Sequence, residues 1–279
     1  MIKYTHISFT ALLCVVLAGA AFAAIGSSGG TEDFESVGSL TNGDQITAPL
    51  ISNISGWDYY ETCDSPIYYY DTDDTTGFST AAGAGTKPSG AGCLRVYSTA
   101  SGIYNHRIGS TQMSLGRDIT MSAWFAVKTT PSNTGQFLLM GLHFPGWGAV
   151  ATQASAWLMI ETATRDIRLR VKREISASGA NEDLYVGTGA MDNTDYDLNT
   201  WNKLEVSVTS SDSATGQIQF SLNGDPVGSP VAIKSDPSGH FMTPRCSFPN
   251  WAAITVTEVY FDDITVQSGS GFDDWILMD

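Results

Sequence analysis

The sequence predicts an all-β, two-sheet antiparallel sandwich, and three observations carry the prediction. Charged residues make up only 15% of the 279 positions while glycines alone number 28, which suits short strands joined by turns better than helical bundles. Apolar residues alternate, most cleanly at Ile119, Met121, Ala123, Phe125 and Val127, the period of a strand with one buried face. Asn-Gly pairs at Asn42-Gly43 and Asn223-Gly224 mark turns between such runs. A sandwich of this length is ordinary as one domain.

The chain divides into residues 1–23, 24–32, 33–267 and 268–279. Lys3 precedes an apolar run from Phe9 to Ala21 that ends in the small residues of Ala21-Phe-Ala-Ala24, the pattern of a cleaved secretory signal. That run is shorter than the ~20 residues of a spanning helix, so a secreted or periplasmic protein with no membrane span is expected. Cys14 follows Leu13, which does not fit a lipoprotein acceptor site. Residues 24–32 read as a Gly/Ser-rich linker and 268–279 as a tail. The net charge of −15 would repel a phosphate backbone, which argues against nucleic acid as a partner.

Residues 33–57 give a first strand and a long turn. The next segment is dense in aromatic and acidic residues, with Tyr68-Tyr69-Tyr70 running into Asp71, Asp73 and Asp74. Three consecutive tyrosines divide between the two faces of a strand. The acidic run lacks the Gly and Glu of an EF-hand loop, since Thr76 and Ala82 occupy those positions, and reads as a solvated turn. Gly77 to Gly92 reads as a surface loop. Strands are expected at Cys93–Tyr97, Tyr104–Ile108, Arg117–Lys128, Phe137–Phe144, Trp157–Glu161 and Asp166–Glu174. Trp124 lies on the face opposite the alternating apolar residues of its strand and needs another layer or a ligand to cover it.

Arg168, Arg170 and Lys172 alternate with Ile167, Leu169 and Val171, and Arg173 follows. Such a row is common on solvated sheet faces; the alternative is a site for an anionic sugar. Trp201 to Val208, a polar turn, Gln217 to Leu222 and Asn223-Gly224 form an antiparallel pair that turns toward Val227. Five prolines follow between Pro226 and Pro249, so that stretch is expected to be mostly loop. Residues 254–266 then alternate apolar positions with a break in phase at Asp262-Asp263, as a bulge would produce. Two adjacent carboxylates on such a strand are costly to bury without compensation.

The Phe261-Asp-Asp-Ile-Thr-Val266 end, the early Asp33-Phe-Glu-Ser-Val-Gly-Ser-Leu40 and the following Gly56-Trp57 resemble the LamG-like, or concanavalin A-like, jelly rolls of secreted bacterial proteins. The order of Trp201, strand, turn, strand and Asn-Gly is similar to them as well. The resemblance implies a jelly-roll sandwich whose first and last strands pair. It also implies that Glu35 with Asp262 or Asp263 holds a structural Ca²⁺. Activity is not implied, because this fold hosts lectins, hydrolases and lyases.

The Glu-x-Asp-x-x-Glu strand of the laminarinase-like hydrolases is absent. Arg168-Leu-Arg170 and Leu142-His143 match parts of the Arg-x-Glu-x-Arg and Gln-x-His strands of alginate-lyase-like proteins, without the Glu and the Gln. The expected function is therefore non-catalytic binding of a polysaccharide or other glycan, or adhesion, through exposed aromatics: Trp147 and Trp251 in loops, with Tyr69 or Tyr70 in support. The alternative is a polysaccharide lyase or glycoside hydrolase using Tyr104, His106, Arg107 and His143, which put proton-transfer groups beside a cation. Three cysteines follow the signal, so one bridge is expected. Cys63 with Cys93 brackets a single loop segment, and Cys93 with Cys246 stays open.

Overall fold

The computed structural model describes residues 30–35, 39–46, 57–61, 67–87, 90, 92–98, 105–110, 118–129, 136–143, 155–161, 167–174, 181–186, 196–209, 216–233, 243–249 and 257–268. Among them are seventeen strands and no helix. The first seven are β1 (Gly30–Glu32), β2 (Gln45–Ile46), β3 (Trp57–Glu61), β4 (Ile67–Asp71), β5 (Ser79–Thr80), β6 (Cys93–Ser98) and β7 (Asn105–Ser110). The long β8 (Asp118–Thr129) leads to β9 (Gln136–His143), β10 (Ser155–Glu161), β11 (Ile167–Glu174) and β12 (Asn181–Val186). The last five are β13 (Thr200–Thr209), β14 (Gly216–Leu222), β15 (Asp225–Ile233), β16 (Thr243–Pro249) and β17 (Thr257–Ser268).

They form two sheets. Ten strands make the first, in the order β15-β14-β13-β8-β17-β6-β4-β2, with β1 added on β17 and β5 added parallel to β13; seven make the second, β12-β11-β10-β9-β16-β7-β3. The all-β jelly-roll sandwich expected from the alternation is the observed fold. Met121, Phe125, Val206, Phe220, Val259, Phe261, Ile264 and Val266 on the larger sheet are buried. In the smaller sheet the register pairs apolar residues with one another, Leu158 with Leu169 and Met140, and Val171 with Leu184.

The closing strand β17 is central, between β8 and β6, and β1 pairs with it from Glu32↔Ile264 to Gly30↔Val266. First and last strands therefore do meet. β1 lies inside the stretch read as a linker, because a Gly-rich strand held by backbone pairing carries no side-chain signal. The phase break at Asp262-Asp263 is a register shift between Asp262 and Thr265, and Asp263 takes φ 45°. Asn223 and Gly224, at φ 54° and 90°, make the tight turn between β14 and β15.

Two expectations fail instructively. The proline-rich stretch contains β15 and β16. β15 is the edge of its sheet, where Pro226 and Pro230 interrupt no interior ladder, and Pro244 and Pro249 fall at the ends of β16. The Gly77–Gly92 stretch also does more than line the surface. Its first part folds over the outer face of the large sheet, where Phe78, Ala81 and Ala84 pack on Trp124, Ala126, Trp201, Tyr260 and Cys93. Trp124 is thus covered by a second small core, and the Phe78 ring meets Tyr260 edge-on at 5.8 Å.

Candidate functional site

Three groups of polar residues have the chemistry of a site. The first lies at the bulge of β17. Lys87, at the end of the covering segment, places Nζ 2.6 Å from Asp262 Oδ2, 3.7 Å from Asp263 Oδ2 and 4.8 Å from the centre of the Trp201 ring. Burial, then Asp263, pushes the Asp262 carboxyl up to about 8, while Lys87 pulls the other way. Burial also raises Asp263, with Asp33 and Glu35 adding to the rise and Lys87 opposing it. Glu35 thus sits in the same electrostatic neighbourhood as the bulge, its Oε1 accepting the Gly92 N–H at 2.7 Å. Gly92 is required there, because a Cβ would collide with the Phe34 carbonyl oxygen.

The second group is Asp71, Asp73 and Asp74, whose ligand-type oxygens lie within 4.8 Å of one another, close enough to hold a metal ion. The turn expected from the sequence is present and partly solvated, with Asp73 exposed and Asp74 half-buried, but Asp71 departs from the expectation. Asp71 is buried, its Oδ1 accepts the backbone N–H groups of Asp73 and Asp74, and burial raises its carboxyl. Asp74 pairs with Arg95 at 3.2 Å and Lys128 at 3.5 Å. Its burial would raise the carboxyl, but these two cations outweigh burial and hold it below its ordinary value. Arg95 and Lys128 also reach Glu258, at 2.7 and 3.4 Å, and the Tyr260 hydroxyl donates to Glu258 at 2.6 Å. Both cations are committed to carboxylates.

The cysteine expectation is corrected here. Cys93 is a free, buried thiol facing the covering segment, with Sγ 3.4 Å from the Asp71 carbonyl oxygen. Burial and the nearby Asp262 and Asp71 raise its pKa. It bridges neither Cys63, which lies outside the described residues, nor Cys246, which is on β16.

The third group emerges from the register of the seven-stranded sheet. One line of paired residues crosses every strand: Tyr59 with Gly109, Gly109 with Arg245, Arg245 with Gly141, Gly141 with Trp157, Trp157 with Arg170, and Arg170 with Tyr185. Paired residues share a face, so these seven positions lie in one row about 29 Å long at the usual strand spacing. A parallel row holds Thr243, His143, Ser155, Lys172 and Asp183. On the other side Ser247 pairs with Arg107, and Arg107 with Glu61. The face carries Arg107, Arg168, Arg170, Lys172 and Arg245, five of the chain's 14 basic residues. Glu61, Glu161, Glu174 and Asp183 are the acidic residues that share it.

The register decides between the residues named for catalysis. Arg107 and His143 share this face. His106 pairs with Phe248 and by alternation shares the opposite, apolar face with Ile108. The two histidines also lie five residues apart along β16, about 16 Å, so they do not form one constellation. Among the aromatics named for glycan binding, Tyr69 is partly exposed but Tyr70 is buried, which removes Tyr70 from an exposed platform. Tyr104, Trp147 and Trp251 lie outside the described residues. Trp157, Arg245 and Tyr185 were not singled out for this site, because only strand register unites segments so far apart in the chain.

Neither a family model nor a curated protein matches the sequence. Solved structures do. The alginate lyase Aly36B superposes with a TM-score of 0.57 at 11% identity, covering 88% of this chain and 98% of its own. The endo-β-1,4-glucuronan lyase of the fungus Trichoderma reesei gives 0.51 at 12% identity, covering 79% and 94%. These likenesses establish the fold. They are β-jelly-roll polysaccharide lyases, and at such identity the activity does not transfer with the architecture.

Proposed function

We propose that this chain is a polysaccharide lyase that takes a uronate polymer across the face of its seven-stranded sheet. The observation that carries this reading is the row in which Arg245 and Arg170 flank Trp157, with glycines at 109 and 141 on either side of Arg245. An acidic protein that gathers cations on one sheet face has the electrostatics to concentrate a polyanion there. Aromatic residues suit the apolar C–H faces of sugar rings, and glycines leave room for a chain to approach. The named activities of the glucuronan and alginate lyases support the same substrate class.

Elimination from a uronate requires a cation on the carboxylate, a base for the proton on the adjacent carbon, and an acid for the departing glycosidic oxygen. The C–H pair becomes the new double bond as the C–O bond breaks. In this reading Arg245 and Arg170 bind carboxylates, and His143, two positions from Gly141 on β9, exchanges the proton. The test is incubation with glucuronan, alginate and a neutral glucan, following ultraviolet absorbance of the unsaturated product together with new reducing ends. Absorbance rising with a polyuronate alone is expected. New reducing ends without unsaturation would replace the lyase by a hydrolase, and retention without cleavage would leave a binding domain.

The same proposal includes a structural Ca²⁺ at the bulge, held by Glu35 and Asp263 with Asp33 beside them. The donor set fits a hard cation, being all oxygen. Asp262 and Asp263 both meet the ammonium of Lys87, and Asp33 and Glu35 lie close enough to raise Asp263 further, a concentration of carboxylates that a cation would relieve.

A further inference from the structure

We propose that the outer face of the ten-stranded sheet carries a second sugar-binding platform, built on Tyr69 and Tyr97 and selective for neutral glycan. It is independent of the lyase reading, being on the other sheet. Tyr69 pairs with Arg95 across β4 and β6, and Tyr97 follows Arg95 by two residues on β6, so the two rings flank one guanidinium. The carbon of that guanidinium lies 5.7 Å from the Tyr69 ring centre and 5.2 Å from that of Tyr97. Both tyrosines are partly exposed, and the exposed Gln45 pairs with Tyr69 from β2.

Two features make this more than surface packing. Arg95 is anchored by Glu258 at 2.7 Å and Asp74 at 3.2 Å, so the rings stack on a fixed support and lose little freedom when a ligand arrives. The anchoring also sets the ligand class. Arg95 and Lys128 are both ion-paired to Asp74 and Glu258, and the exposed Asp73 adds negative charge nearby. A carboxylated sugar would find no uncommitted cation among these residues and would meet that acid. A neutral ring would find aromatic faces, with an amide and phenolic hydroxyls for its own hydroxyls.

The experiment uses the full chain with microcrystalline cellulose and a soluble neutral β-glucan as probes, measured for Tyr69→Ala, Tyr97→Ala and the wild type. Retention of the wild type is expected, with each alanine variant weakened about tenfold, the scale of one aromatic contact, while polyuronate cleavage stays at the wild-type rate. Where an alanine variant fails to fold, Tyr→Leu keeps apolar bulk beside Arg95 while removing the aromatic face and its hydroxyl; the same loss is expected. The proposal is overturned if the wild type binds neither glucan, or if the folded variants bind as it does. Polyuronate turnover is read separately, so failure of the lyase reading leaves this result interpretable.

Discussion

The outer face of the ten-stranded sheet and the row-bearing face of the seven-stranded sheet both carry arginines, but they deploy them differently. On the first, Arg95 and Lys128 meet Asp74, Glu258 and the Tyr260 hydroxyl in one network of ion pairs and hydrogen bonds. On the second, Arg107, Arg168, Arg170, Lys172 and Arg245 share a face with four acidic residues, Glu61, Glu161, Glu174 and Asp183. Cations matched by local carboxylates are accounted for by folding. The polyuronate is assigned to the second face because strand register gathers cations from β7, β11 and β16 onto one side of that sheet.

The sharpest way to break the comparison is to remove one arginine from each face. Arg245→Ala should leave the melting temperature nearly unchanged and lower kcat/KM on polyuronate by about a hundredfold, the usual cost of losing one preorganised charge-stabilising group. Arg95→Ala should do the reverse. It strands Glu258 and Asp74 without their main partner and should cost about 2 kcal/mol of stability, with turnover per folded molecule preserved. If Arg95→Ala abolishes cleavage in a folded protein, the division of labour between the faces is wrong.

The bulge lies between these extremes, since Lys87 meets the carboxylates there without matching their number. With free calcium at about a hundred times its dissociation constant, a bound ion would add about 2.7 kcal/mol. Chelation should then lower the melting temperature, and Asp263→Ala should make the protein insensitive to chelation. A wild-type melting curve that ignores the chelator removes calcium from the site and leaves Lys87 as its cation.

Much of the fold was readable in the chain, because the signals that define it are local. Alternation at Ile119 to Val127 located β8, Asn223-Gly224 located a turn, and the doubled aspartates located a bulge. Trp124 on the wrong face even announced a covering layer, although nothing indicated that Phe78 and Ala84 would supply it. The candidate site was far less readable. Arg245 sits among prolines and looked like loop, and its row mates Gly141, Trp157 and Arg170 come from three other strands. Their alignment depends on the register between strands, and no periodicity within one segment encodes it. The Cys63–Cys93 expectation failed for a related reason. Sequence proximity gave no sign that the Cys93 thiol would be buried under the covering segment, against the Asp71 carbonyl.

The smallest expected effect concerns pH, and it separates the bulge from the Arg95 network by sign. The Asp262 carboxyl has an ordinary value of 3.8 and is pushed up to about 8 in the fold. The native state therefore holds that proton more tightly than the unfolded chain, and the stability it contributes is fully present below about pH 4 and lost as pH rises through about 8. Asp74 behaves oppositely. Its carboxyl lies below the ordinary value because Arg95 and Lys128 overcome its burial, so its contribution is present above about pH 4 and lost in acid. Melting temperatures from pH 4 to pH 8 should thus show a declining component that Asp262→Asn removes, while Asp74→Asn leaves that decline in place and costs stability at neutral pH. A decline that survives Asp262→Asn would mean that Lys87 keeps Asp262 ionised throughout. The burial of the carboxylate pair would then already be compensated by its ammonium, and the case for an added metal at the bulge would weaken with it.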